Sequence, residues 1–236
     1  MRGLKLHIIC FWALLLTVTA CGDDEYYYPS VQLEFVTVEA GADGTLQRLI
    51  PDKGEALPIS KDRTGSTIAS NSSRRVLSNY EKVSSGGVSS AVIYAVQSLV
   101  APEPKSRNQD PYKDGVVTDP VDVTSIWLGG GYLNMILNLK VKGDVQHVFG
   151  MVEEEVIEET PFETEVTLLL YHNASGDLEW YNRRAYISVP LSKYVKEGQT
   201  KKVTVRFKYY TYDKAGNKVE EDKYMEPGFD YVVSGN

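Results

Sequence analysis

The sequence is short of what thiol and soft-metal chemistry needs. Its 236 residues include two cysteines, Cys10 and Cys21, and three histidines. No HxxxH pair occurs, and no two cysteines stand at metal-ligand spacing, so no metal and no cofactor is expected. Nucleophilic catalysis needs a Ser or Cys near a base held by a third group, and although serines are many no GxSxG elbow presents one, so the chain is not expected to be an enzyme. Positive charge is scarce as well: 25 Lys and Arg against 32 Asp and Glu leave a net charge of −7. A nucleic-acid binder needs a clustered basic surface, and no nucleic-acid partner is expected. Long apolar runs are missing too. The longest, from Ile8 to Leu16, is too short to cross a bilayer.

What that run does fit is a leader. Arg2 and Lys5 precede it, and Val18-Thr19-Ala20-Cys21 follows it, which gives a charged start, an apolar middle and small residues before a cysteine. The pattern resembles the bacterial lipobox. It implies a signal peptide over residues 1–20, acylation of the Cys21 thiol (by palmitate or a similar chain) and a membrane partner through the lipid. Cys10 leaves with the leader and Cys21 is consumed, so the mature chain is expected to lack a disulfide despite its export. Residues 21–30 read as a tether. Its Gly22-Asp23-Asp24-Glu25 resembles the acidic export signal that sends some lipoproteins to the outer face of the outer membrane. The bland alternative is a solvated spacer.

Beyond the tether the pattern is one of strands. From Leu133 to Val141 the odd positions are Leu, Met, Leu, Leu and Val, while Asn134, Asn138 and Lys140 fill even ones. Val203, Val205, Phe207 and Tyr209 alternate with Thr204, Arg206 and Lys208. Ala185, Ile187, Val189 and Leu191 alternate with Arg184, Tyr186, Ser188 and Pro190, and Val166, Leu168 and Leu170 repeat the period. Sixteen tyrosines against four methionines agree with β structure. The expected class is all-β.

Prolines 102, 104, 111 and 120 fall within 102–122, where apolar residues are few, and this stretch reads as a linker. It separates an expected OB-like five-stranded barrel over 31–101 from an expected β-sandwich over 123–236. Strands are expected at Val31–Glu39, Thr45–Ile50, Glu55–Ile59, Arg74–Val83 and Ala91–Ala101 in the first, and about seven in the second. Gly143-Asp144 reads as a tight hairpin, and Gly129-Gly130-Gly131 as a bulge or a bend rather than a phosphate loop, because no helix follows it.

Several of these segments together resemble one family. The lipobox and acidic tether, Asp122-Val123-Thr124-Ser125-Ile126-Trp127-Leu128 leading into Gly131-Tyr132-Leu133-Asn134, and Leu170-Tyr171-His172-Asn173-Ala174 with Gly176-Asp177 are similar to the NigD-like lipoproteins. The resemblance implies an N-terminal OB-type domain followed by a C-terminal β-sandwich. It brings no catalytic residue and no cofactor. The family name comes from a bacteriocin locus, which implies an immunity-like role.

Few residues offer binding chemistry. Glu153-Glu154-Glu155 with Glu158 and Glu159 reads as a solvated edge, because the Asp/Asn-Gly loop that cages Ca²⁺ is missing. His147 and His172 read as structural or exposed. Trp180-Tyr181 with Arg183 is the candidate ligand contact, since aromatic faces and Arg bind sugars and partner proteins. The phase between Trp180 and Ala185 must break near Asn182. The break either turns these side chains outward as a platform or leaves Trp180 in the core. The expected function is a non-enzymatic, outer-membrane, surface-exposed lipoprotein that binds a glycan or protein ligand. The alternative is a structural envelope or fimbrial component.

Overall fold

The alternating runs fold as strands. A computed structural model describes residues 29–143, 145–177, 180–195 and 201–231, without the side chains of 201 and 224–231. The expected leader, Cys21 and the Gly22–Glu25 cluster lie outside the described residues. The first five strands are β1 (Val31–Ala40), β2 (Leu46–Pro51), β3 (Leu57–Asp62), β4 (Ser73–Ser85) and β5 (Val88–Ser98). They close into a barrel in the order β1-β2-β3-β5-β4, sealed by a parallel contact between β3 and β5. This is the expected OB-like domain, with strand ends moved by a few residues. Val36, Val38, Leu49, Val76 and Ile93 fill its interior.

The second half adds β6 (Pro104–Ser106), β7 (Asp122–Gly129), β8 (Tyr132–Val141), β9 (Val148–Thr160), β10 (Glu163–Asn173), β11 (Tyr181–Pro190), β12 (Lys201–Tyr212) and β13 (Lys218–Tyr231). One sheet runs β13-β12-β10-β9-β6 and the other β11-β8-β7. Between them lies the core read from period 2. Leu133, Met135 and Leu137 from β8 meet Val166, Leu168 and Leu170 from β10, with Ile187, Val189, Val203, Val205 and Phe207. The expected β-sandwich is therefore present, and the described residues from Val31 onward form one compact unit.

Three local expectations change. The tight hairpin expected at Gly143-Asp144 is not formed, because β8 and β9 belong to different sheets; Asp144 itself lies outside the described residues. The triple glycine is a two-residue hairpin turn between β7 and β8. Gly130 and Gly131 take φ of +58° and +83°, the left-handed values that this turn requires and glycine adopts without strain. The third change concerns 102–122, which is no free linker. Within it β6 pairs in parallel with β9, and Pro104 is buried.

Tyr112, in the same stretch, is 3% exposed and packs on Tyr171 with ring centroids 5.2 Å apart. Gly150 makes room for it: a Cβ there would meet the Tyr112 Oη at 2.2 Å. The cause lies in β9 and β10, whose outward positions Val152, Leu169 and Tyr171 are themselves apolar and need a cover. Proline content reports the loss of helix and ladder hydrogen bonds, not the loss of packing.

This assigns residues 104–118 to the sandwich. A fragment beginning at Val100 should therefore melt cooperatively. A fragment beginning at Pro120, stripped of Tyr112 and β6, should melt about 10 °C or more lower, the scale expected for losing one buried aromatic. Circular dichroism melts of the two fragments check this. Equal midpoints would return 102–122 to the role of a tether.

Candidate functional site

The barrel and the sandwich meet on faces that a period-2 reading calls outward. Arg75 sits in β4 next to Val76, so when Val76 enters the barrel Arg75 must leave it. Its side chain is only 3% exposed. Arg75 Nη2 donates to Asp52 Oδ1 at 2.5 Å and to Asn134 Oδ1 at 3.2 Å, and Nε donates to Ser188 Oγ at 3.1 Å. Ser188 Oγ donates in turn to Asn134 Oδ1 at 2.6 Å, and Asn134 Nδ2 donates to Asp52 Oδ2 at 3.2 Å. The guanidinium also stacks over the Tyr132 ring, 4.5 Å from its centroid. Asn134 and Ser188 are register partners on β8 and β11. One arginine of the barrel thus satisfies the buried polar face of the sandwich.

Gly129 and Gly130 permit this approach. A Cβ on either would meet an Asp52 carboxylate oxygen at 2.5 or 2.4 Å. The glycines read as a bend from sequence therefore serve a second purpose, close packing against the barrel.

Beside the Arg75 cluster the same two faces stand apart and leave a cleft of about 470 Å³. Leu33, Phe35 and Leu77 line it from the barrel, and Trp127, Ile136 and Tyr186 from the sandwich. Phe35 packs 5.1 Å from Trp127 and 6.1 Å from Tyr186 between ring centroids. Sequence reasoning missed this site because it treated the even positions of β8 and β11 as solvent-facing. The available signal was that three of these even positions, Asn134, Ile136 and Ser188, are small or apolar.

The predicted platform lies at the other end of β11. Trp180 and Tyr181 are 69% and 70% exposed, and Arg183 is exposed as well. Trp180 is therefore surface, not core. Its φ of +82° is a left-handed value that is costly for a bulky residue. The break expected near Asn182 does not fall within β11, which pairs with β8 from Tyr181 to Pro190 without a register shift; the left-handed residue is Trp180, just before the strand. Lys142 Nζ lies 5.8 Å from the Trp180 ring centroid. Arg183 lines a smaller cleft of about 210 Å³ that also includes His147.

The two histidines form one buried chain. His172 Nδ1 faces the Asp119 carbonyl at 2.9 Å, which assigns its proton to that nitrogen and leaves Nε2 to accept from His147 Nδ1 at 3.0 Å. Phe149 stacks on His172 with centroids 4.8 Å apart. His147 Nε2 ends the chain 3.8 Å from Asp177 Oδ2, while Asp177 Oδ1 accepts the Lys142 amide at 2.6 Å. Burial pushes the His172 imidazole below its ordinary 6.5, against the Asp119 carbonyl, which favours its charged form.

Two of the acidic residues serve ion pairing. Glu153 pairs with Lys193 at 2.5 Å and accepts from Tyr194 Oη at 2.6 Å, and Glu154 bridges Arg107 and Lys208. Part of the expected solvated edge is thus tied into a network. Tyr209 enters the core, while Tyr212 is exposed. Among the described residues, no group of three or more His, Cys, Asp or Glu is placed to hold a metal ion.

A closed OB barrel locked to a β-sandwich through a polar seam defines a two-domain, all-β protein. Family comparison then places it: residues 35–99 match the NigD-like N-terminal OB domain and 103–221 the NigD-like C-terminal beta sandwich domain. The chain belongs to the NigD-like family. It is 60% identical to a NigD-like immunity protein from Bacteroides caccae ATCC 43185, with a TM-score of 0.75, covering 89% of this chain and 100% of that one. The same fold occurs in a protein of unknown function from Bacteroides vulgatus ATCC 8482, at 18% identity and a TM-score of 0.60, covering 87% of this chain and 93% of that one. It occurs again in a protein provisionally described as a lipoprotein, from Bacteroides fragilis NCTC 9343, at 14% identity and a TM-score of 0.58, covering 85% and 99%. Among curated proteins there is no match.

The histidine chain gives a testable pH dependence. His172 is held neutral when folded and regains its ordinary affinity for protons when unfolded. Its contribution to stability is therefore full above pH 6.5 and falls as pH drops below that value. The melting temperature should decline between pH 7.5 and 5.5. His172→Gln, which keeps a donor for Asp119 and an acceptor for His147, should flatten that decline. An unchanged slope in the variant would place the titration elsewhere.

Proposed function

We propose that the chain is a non-enzymatic lipoprotein of the outer membrane, anchored through Cys21, exposed at the cell surface, and working by binding a protein in the manner of an immunity factor. The carrying observation is the pair Trp180 and Tyr181, both more than two-thirds exposed and next to the exposed Arg183. Large aromatics at that exposure, with an arginine beside them, are the residue types that dominate binding interfaces. Left-handed backbone at a tryptophan is a strain that persists where surrounding structure enforces it, often at binding sites.

The 60% identity to a protein described as a NigD-like immunity protein supports a protein ligand over a glycan. The likeness to a protein described as a lipoprotein agrees with the lipobox. In this reading Cys21 carries the acyl chains, and Gly22, Asp23, Asp24 and Glu25 direct export. A glycan ligand, or a structural envelope role, remains the competing account.

One set of strains tests the reading: one lacking the chain, one restored, and restored strains carrying Cys21→Ala, Asp23/Asp24/Glu25→Ala or Trp180→Ala/Tyr181→Ala. Cys21→Ala should lose fatty-acid labelling and membrane attachment. The acidic-cluster variant should keep labelling but lose antibody staining of intact cells. Under challenge with bacteriocin-containing supernatants, the aromatic variant should stain normally yet lose protection. Its loss should correspond to about 1–3 kcal/mol of binding, with little change in melting temperature. Equal sensitivity of the deletion and restored strains would contradict the immunity reading.

A further inference from the structure

The cleft between barrel and sandwich has a charge arrangement that the Trp180 reading does not use. Four charged side chains line it: Glu34, Asp52, Lys53 and Arg184. The two acids are engaged. Asp52 pairs with Arg75 at 2.5 Å, and Glu34 accepts from Tyr80 Oη at 2.8 Å. The two cations are not. Among the described residues, neither Lys53 nor Arg184 has a hydrogen-bond or ion-pair partner, and both are exposed at the rim. The walls beneath them are Phe35, Trp127 and Tyr186, with Leu33, Leu77 and Ile136.

A volume of about 470 Å³ lies within the span of small-molecule sites, whose walls are apolar and whose few polar groups fix orientation. The walls suit a flat apolar body, which gains both burial and ring-to-ring contact. The free guanidinium and ammonium suit an anionic head, and an Arg fork matches a carboxylate with two parallel hydrogen bonds. We propose that this cleft binds a small aromatic carboxylate, its ring among Phe35, Trp127 and Tyr186 and its carboxylate held by Arg184 and Lys53.

The site is distinct from the Trp180 platform and does not depend on it. Arg184 and Tyr186 alternate on the β11 face turned toward the barrel.

The probe pair is 1-naphthaleneacetate and its neutral amide, titrated by calorimetry into the purified full chain. The acid should bind one to one and about tenfold more tightly than the amide, the scale of one charge-assisted contact. Arg184→Gln combined with Lys53→Gln, both at exposed positions, should abolish that preference while leaving the amide's affinity unchanged. Ile136→Trp, which fills the cleft, should remove binding of both probes. If Ile136→Trp fails to fold, Leu33→Trp at the exposed rim replaces it. Binding of neither probe, equal binding of acid and amide, or a preference that survives the double substitution would each overturn the proposal.

Discussion

Arg75 is the residue on which the arrangement of the two domains depends. A guanidinium removed from water is tolerable only where its donors are taken up and its charge is answered. Asp52 answers the charge, Asn134 and Ser188 take up donors, and the Tyr132 ring covers the face. Three of these partners, Tyr132, Asn134 and Ser188, come from strands of the sandwich, and Asp52 comes from the loop that follows β2. Separating the domains would leave Asn134 and Ser188 without the donor that orients them. It would also expose Phe35, which is 5% exposed and packs on Trp127 and Tyr186.

The functional surfaces follow from that lock. Arg75, Asp52 and the glycines of the β7–β8 turn hold the faces together, and the aromatic cleft opens beside them, with Asp52 and Gly129 in its lining. The Trp180 platform has a different origin. β11 must feed Ile187 and Val189 into the core, while the chain arrives from Asp177, which is fixed by the Lys142 amide. Trp180 takes left-handed backbone just before β11 begins, and the aromatic pair stands exposed there. One feature is a gap between two domains, the other lies at the start of one strand.

Much of the fold was legible because burial in strands obeys a period of two. Leu133, Met135, Leu137 and Leu139, and likewise Val203, Val205 and Phe207, are buried where alternation put them. The five strands of the barrel were placed within about three residues of their observed ends. Periodicity identifies two faces but not what covers the second one. That is why Asn134 and Ser188, read as outward, turned out fully buried, and why Tyr112 was read as part of a linker. Trp180 was legible only as a phase conflict, which does not say to which side the ring turns. The cleft was invisible, since Phe35, Trp127 and Tyr186 are brought together by domain packing and by no local pattern.

Scanning calorimetry of Arg75→Met tests the central account most directly. The unaltered chain should unfold in one transition, with calorimetric and van't Hoff enthalpies equal, because barrel and sandwich share the Arg75 seam. Removing one partner of a buried charged pair costs about 3–5 kcal/mol. Arg75→Met should therefore lower the melting temperature and split the unfolding into two transitions, one for each domain. A single transition in Arg75→Met, within about 1 °C of the unaltered protein, would show that the seam does not hold the domains together.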